Sequence, residues 1–359
     1  MKKIFIILAL TISFSINAQL TAVTEGGNTG QRLSTSNASN HGDIGSNAVD
    51  LSYQNSTSST KGATGFAATA LGYLTTASGN RSTATGNNTV ASGNQSTSMG
   101  ELTTASGRET LAIGNSTTAS GDYSTAMGLS TTASGAQSTA MGRLTTASGI
   151  SSLALGYSTT ASGHQSISAG NSSTASASYS TSIGYGSVAS DFASVVIGQY
   201  NSSGSSVTNN ATSFNAANTA FVIGNGTSGS LSDAFKVMFN GDATVSNDLT
   251  VSGDVVISSD ARLKSNIVSL GSTLAKLLQI DGKSYEMKGK KKIGVLAQEI
   301  QKLFPELVGA DEENRLTVNY QGLVPVLINA LKEQQNEIVR LKDQEKRIEK
   351  LEKLIANIN

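Results

Sequence analysis

Small apolar and small polar positions alternate along the middle of the chain in a beat of seven, and every beat from Gly65 to Gly170 closes on glycine. Two phrases take turns. One reads Thr-Ala-Ser-Gly (Thr104 to Gly107, Thr118 to Gly121, Thr132 to Gly135), while the other puts a larger apolar residue before glycine (Ala112-Ile113-Gly114, Ala126-Met127-Gly128, Ala140-Met141-Gly142, Ala154-Leu155-Gly156). The unit is therefore fourteen residues in two halves, and a fixed period of this kind marks a solenoid whose units bury their faces by stacking. A five-residue strand and a glycine turn fill seven residues, with glycine taking the positive φ of a tight corner. Side chains alternate along a strand, so the alanine two before each glycine (Ala77, Ala91, Ala105, Ala119, Ala133 and so on) faces an interior too narrow for anything larger. Outward, one wall carries Thr and Ser (Thr118, Ser120), and the other carries Thr beside Met, Ile or Leu (Thr125, Met127). An apolar residue per coil on an outer wall needs cover, and no other part of the chain is shaped to give it. Identical chains are expected to pack these walls around an axis. About ten coils at about 4.8 Å each make a rod roughly 50 Å long.

Beyond the repeats the pattern changes. Ala220–Gly226 and Phe235–Phe239 predict two strands, and Asp242 to Ile257 alternates through Val245, Leu249, Val251 and Val255, as expected for a neck and stalk of intertwined strands. From Ser259 the pattern is that of a globular domain. It predicts a helix from Leu270 to Ile280, a hairpin from Ser284–Met287 and Lys292–Leu296, a helix from Ala297 to Phe304 ended by Pro305, a strand at Leu316–Tyr320, and a long helix from about Pro325. In that last helix Leu331, Ile338, Leu341, Ile348, Leu351, Ile355 and Ile358 form an apolar seam flanked by Lys and Glu, a short coiled coil with one register shift.

Composition narrows the picture. The chain has 25 basic and 25 acidic residues, but positions 259–359 hold 17 of the former and 14 of the latter. The sparsely charged remainder has no basic face, which argues against nucleic acid as a partner. The cluster Lys288, Lys290, Lys291, Lys292 reads as a solvated hairpin tip. Cysteine is absent, which excludes disulfides and thiolate metal sites, and no cofactor or metal is expected. Lys2 and Lys3, an apolar run from Ile4 to Phe14, and Ser15-Ile16-Asn17-Ala18 read as an export signal too short to span a membrane. No other segment reaches transmembrane length. The expected divisions are 1–18 signal, 19–61 cap of the head, 62–201 repeats, 202–258 neck and stalk, 259–325 globular domain, and 326–359 coiled-coil helix.

The fourteen-residue rhythm over about Gly62 to Asn201 resembles the head of YadA-like trimeric autotransporter adhesins. Ala177 and Asp191 stand in glycine slots, while Gly184 and Gly198 keep the beat. The resemblance implies a mainly β protein, with a left-handed parallel β-roll that trimerises through one wall. It also implies a place at the cell surface or outside the cell, and a host, glycan or surface receptor as partner. The membrane-anchoring β-barrel segment with which such adhesins end is not read here.

Farther on, Ser259-Asp260-Ala261-Arg262-Leu263-Lys264-Ser265-Asn266-Ile267, Gly294–Glu299, and Val318-Asn319-Tyr320 through Leu323, Pro325 and Leu327 look like the endosialidase-type intramolecular chaperone domain. That family helps trimeric fibres fold and then cuts itself off. The resemblance places the catalytic pair on Ser259 and Lys264 and the scissile bond between Ser258 and Ser259, a serine peptidase acting once in cis with no turnover. Such chemistry needs a hydroxyl nucleophile and a base, and lysine serves when desolvated. Five positions across a turn can join amine to hydroxyl, and Asp260 is read as orienting the loop.

Two rival functions compete with this reading. A polysaccharide-degrading spike needs paired carboxylates across a groove, and Glu101, Glu109 and Asp122 do not repeat as a pair. The ladder Thr104, Ser106, Thr118, Ser120, Thr132, Ser134, Thr146, Ser148 could bind ice or crystalline polysaccharide, although hydroxyls also simply solvate a sheet face.

Overall fold

The computed structural model describes residues 20–311 and 314–357. The export segment expected over 1–18 lies outside the described residues. The chain divides into two units, one running to Ser252 and one starting at Gly253.

The first unit is the predicted β-solenoid. Each coil holds a five-residue strand such as Thr125–Leu129 and a two-residue strand such as Thr132–Ala133. Successive coils pair parallel and in register, Ala126 on Ala140 and Gly128 on Gly142 in the long wall, Ala133 on Ala147 in the short wall. The alanine column lies where the alternation puts it, and Ala105 through Ala161 form one continuous, fully buried core. A second inward column accompanies it: Thr117, Ser124, Thr131, Ser138 and Thr145, four before each glycine, are buried as well. They share the alanine's face because side chains two apart point the same way. Thr110 and Ser152 donate their hydroxyls to the carbonyls of Gly107 and Gly149. Where serine replaces an interior alanine, at Ser98, Ser168 and Ser182, its hydroxyl pairs with Thr103, Ser173 and Ser187. The extra polar atom is thereby satisfied, which avoids the cost of an unmade buried hydrogen bond.

The glycines do a second job beside the expected one. Positive φ is taken by the long-wall glycines, as at Gly128 (125°) and Gly142 (128°), and also by residues two after glycine, such as Ser130 (54°), Gln137 (58°) and Leu144 (58°). Gly128 nevertheless sits inside its strand. A Cβ built on Gly128 would overlap the carbonyl oxygen of Gly142, and one on Gly135 would overlap that of Gly149. Glycine is required because backbones of stacked coils meet there with no room between them.

Both ends are closed. Leu20–Glu25 and Asn28–Leu33 form an antiparallel hairpin ahead of the first parallel pairing. Beneath it Arg32 binds Glu25 at 2.7 Å, and His41 Nδ1 shares a 2.8 Å hydrogen bond with Asp50. Burial pushes the Asp50 carboxyl up, but its hydrogen bonds with His41 and Ser52 prevail and hold it below the usual carboxylate range. At the other end Thr219–Asn225 pairs parallel with Val195–Gln199, so the long wall runs past position 201. Two antiparallel strands, Asp233–Met238 and Ala243–Val245, complete that edge. The short wall stops at Val188–Ala189. There the Asn201 amide stands in for a further strand, accepting from Val188 N and donating to Val188 O, each at 2.8 Å. Buried Asp191, in its glycine slot, accepts from the amides of Thr208 and Thr219. The departures from the rhythm are the closure itself.

The second unit holds α1 (Leu274–Leu277), α2 (Ala297–Leu303), α3 (Leu323–Ala356) and two small hairpins, Lys283–Met287 with Lys290–Gly294 and Val308–Ala310 with Leu316–Val318. Ile300, Phe304 and Val326 centre the core, with Leu277, Ile280 and Val295 packed on it. The helix expected from Leu270 shrinks to one turn. Gly271 at φ 68° sets the chain off helical geometry just before it. The strand expected over Asp242 to Ile257 contracts to Ala243–Val245, and Val256 beyond it is 88% exposed.

Gly128→Ala is expected to destabilise the solenoid by about 2–5 kcal/mol through overpacking and strain at positive φ. Ser130→Gly at the corner should be neutral or mildly stabilising. Thermal melts followed by circular dichroism distinguish the two, and a neutral Gly128→Ala would contradict the close-approach explanation.

Candidate functional site

The chemistry-bearing segment lies in the second unit, between the exposed run Val255–Ile257 and α1. Ser258 and Ser259 lie outside any helix or strand and are exposed, and then the chain makes one 3-10 turn over Ala261–Leu263. Asp260 is the N-cap, its carboxylate accepting from Arg262 N at 2.8 Å. Lys264 closes the turn by donating its backbone N–H to Ala261 O. The bend brings the two predicted residues together: Lys264 Nζ donates to Ser259 Oγ at 2.7 Å. A direct contact of this kind is the geometry a hydroxyl and its base require. Ser259 and Lys264 are both exposed in the single chain. The Arg262 guanidinium also holds Asp260 with Nη2 at 2.6 Å, and this side-chain pairing keeps the Asp260 carboxyl below its ordinary range.

The other predicted motifs build the scaffold. Val295 N donates to the Tyr320 hydroxyl at 3.1 Å, tying Gly294–Glu299 to the Val318–Tyr320 stretch. Asn319 caps the turn that enters α3 by accepting from Gly322 N. Sequence reasoning missed Glu333. From α3 it accepts from the amides of Thr273 and Leu274 and from the Ser272 hydroxyl, capping α1 across sixty positions of chain. Ser272-Thr273 before an apolar run is a self-capping signal, and nothing local reveals that a distant carboxylate takes over. The Thr273 amide, then the Ser272 hydroxyl, hold the Glu333 carboxyl below its usual range.

In the first unit, the acids weighed as a hydrolytic pair serve neighbouring coils instead. Glu101 accepts from the Asn115 side chain and Asp122 from Arg108 N. On the long wall the outward apolar column is exposed in part, with Met99 at 40% and Ile183 at 45% exposure, while Ile113, Met127 and Leu155 are half-buried. Along α3 Leu331, Ile338, Leu341, Ile348, Leu351 and Ile355 are all exposed. No helix among the described residues is long and apolar enough to cross a membrane.

Two family profiles match the chain. The YadA head domain repeat matches residues 63–89 and then overlapping pairs of coils from 91–117 through 175–201. The chaperone of endosialidase matches residues 259–309, beginning on the serine of the contact just described. No curated relative matches the chain.

Glu333→Ala should speed amide exchange at Thr273 and Leu274 relative to wild type. Because the folded carboxyl is depressed, its stabilisation is full above the unfolded-state value and fades as pH falls through the folded one. Wild type should therefore loosen at the same amides on acidification, and the variant should not. Equal exchange in both proteins at neutral pH would exclude the cap.

Proposed function

We propose that a chain carrying YadA head repeats ahead of an endosialidase-type chaperone domain works as an exported, surface-exposed homotrimeric fibre with an adhesin-like head. Its C-terminal domain folds the fibre and then removes itself by one cleavage between Ser258 and Ser259. The observation that carries the cleavage is the 2.7 Å hydrogen bond between Lys264 Nζ and Ser259 Oγ.

In the proposed reaction neutral Lys264 takes the Ser259 hydroxyl proton, and Oγ attacks the carbonyl carbon of Ser258. The bond from that carbon to the Ser259 nitrogen breaks as the nitrogen takes the proton from Lys264, leaving an ester. Water hydrolyses the ester to a Ser258 carboxylate and a Ser259 with free hydroxyl and new α-amine. A lysine base needs desolvation. Packing of three chains around the exposed segment would supply it, so cleavage would follow assembly.

Trimerisation is supported by the apolar residues the single chain leaves in water: Met99, Met141 and Ile183 on the long wall, Val255 to Ile257 in the stalk, and the seam of α3. The seam suits a coiled coil that registers three chains early and raises their effective concentration. Intertwined β-structure has non-local contacts and folds slowly. Releasing the helper afterwards would remove the route back and trap the fibre kinetically. The head would then engage a host, glycan or surface receptor from outside the cell.

Denaturing electrophoresis with mass spectrometry tests the maturation step. Wild type should yield a fragment of 101 residues starting at Ser259, since 359 − 258 = 101. Ser259→Ala and Lys264→Arg should stay intact, because arginine does not give up its proton. An intact wild-type chain under folding conditions removes the peptidase assignment. Sedimentation of the mature product should show a trimer, and a compact stable monomer would remove the fibre.

A further inference from the structure

We infer that Asp260 is a positioning residue for the pair, holding the single bend that folds the Lys264 amine onto Ser259. It rests on Ser259 and Lys264 being the cleaving residues. In an extended chain, residues five apart lie about 16 Å from one another, beyond the reach of a lysine side chain. The observed contact at 2.7 Å therefore requires a bend, and the turn Ala261–Leu263 is the one between them. Its start is tied by Asp260. The carboxylate accepts from Arg262 N at 2.8 Å, and Leu263 N donates to Asp260 O at 3.1 Å. Arg262 fixes the carboxylate in turn, with Nε 3.1 Å from both oxygens and Nη2 2.6 Å from one. All of the carboxylate's bonds go to Arg262, so it is occupied as a cap and is not poised to take a proton from Ser259. An exposed ion pair contributes little to stability. What the clamp governs is the placement of one amine, and a misplacement of about 1 Å costs about 100-fold in rate.

The test uses the full chain and follows release of the fragment beginning at Ser259. Asp260→Ala should cleave about 100-fold more slowly while sedimenting as the same trimer. Asp260→Asn and Asp260→Ser should cleave at near wild-type rates with an unchanged pH profile, because Asn and Ser cap as well as Asp. Asp260→Asn as inactive as Lys264→Arg would make the carboxylate a base and overturn the inference, as would Asp260→Ala at wild-type speed. Amide exchange at Arg262, measured in the Ser259→Ala background, reports the bend without cleavage. Asp260→Ala should accelerate it and Asp260→Asn should not, and equal exchange in both overturns the cap. An uncleaved wild type with that exchange pattern defeats the peptidase assignment and the positioning role together, while leaving the turn itself described.

Discussion

Stacked coils of this protein come so close at the glycine columns that carbonyl oxygens occupy the space a Cβ would need. Most of the first unit follows from that proximity. Through the central coils the two walls leave between them a slot filled by Ala, Ser and Thr, and larger buried side chains, Ile44, Val196 and Val222, occur only towards the ends. Alanine burial contributes little apolar area, so the hydrophobic effect inside one coil is weak. Hydrogen bonds between coils do the ordering, and they are cooperative only along the stack. The larger apolar side chains are driven outward, where a single chain cannot cover them.

Two kinds of polar group keep this thin structure from fraying. Some interior hydroxyls, such as those of Thr110 and Ser152, turn back to carbonyls of the same coil, and others, such as Ser98 with Thr103, pair with each other. Those of Thr117, Ser124, Thr131, Ser138 and Thr145 are buried without a partner among the described residues. At the ends, charged and amide side chains replace the missing neighbours: His41, Asp50 and Arg32 at one end, Asp191 and Asn201 at the other. Each occupies a place where a further coil would otherwise leave orphaned backbone, which is costly when buried.

Much of this was legible because it is local. A period of fourteen fixed the coil and alternation located Ala105 to Ala161, whereas the pairing of Ser259 with Lys264 came from the resemblance of Ser259 to Ile267 to the chaperone family and not from their spacing. The glycines show the limit. The positive φ of Gly128 is legible from the beat, and only the adjacent coil reveals that its neighbour's carbonyl excludes a side chain as well. The inward Thr and Ser column escaped notice because hydroxyl residues read as solvent-facing, although Thr131 obeys the same alternation as Ala133. Glu333 was invisible for a different reason: its partners lie in another element, and no periodicity links them. Asp191 appeared as a lapse in the beat, whereas it terminates a wall.

The asymmetry between interior coils and closures bears on how such a protein changes in size over evolutionary time. Any coil from Gly93 to Gly163 presents the same register above and below, so unequal recombination can insert or delete a fourteen-residue cassette without disturbing its neighbours. The terminal pieces have no such freedom, since Asn201 fits only the last rung. Reach is thus a heritable, stepwise variable of about 4.8 Å per cassette, adjustable while the lids and the second unit stay untouched.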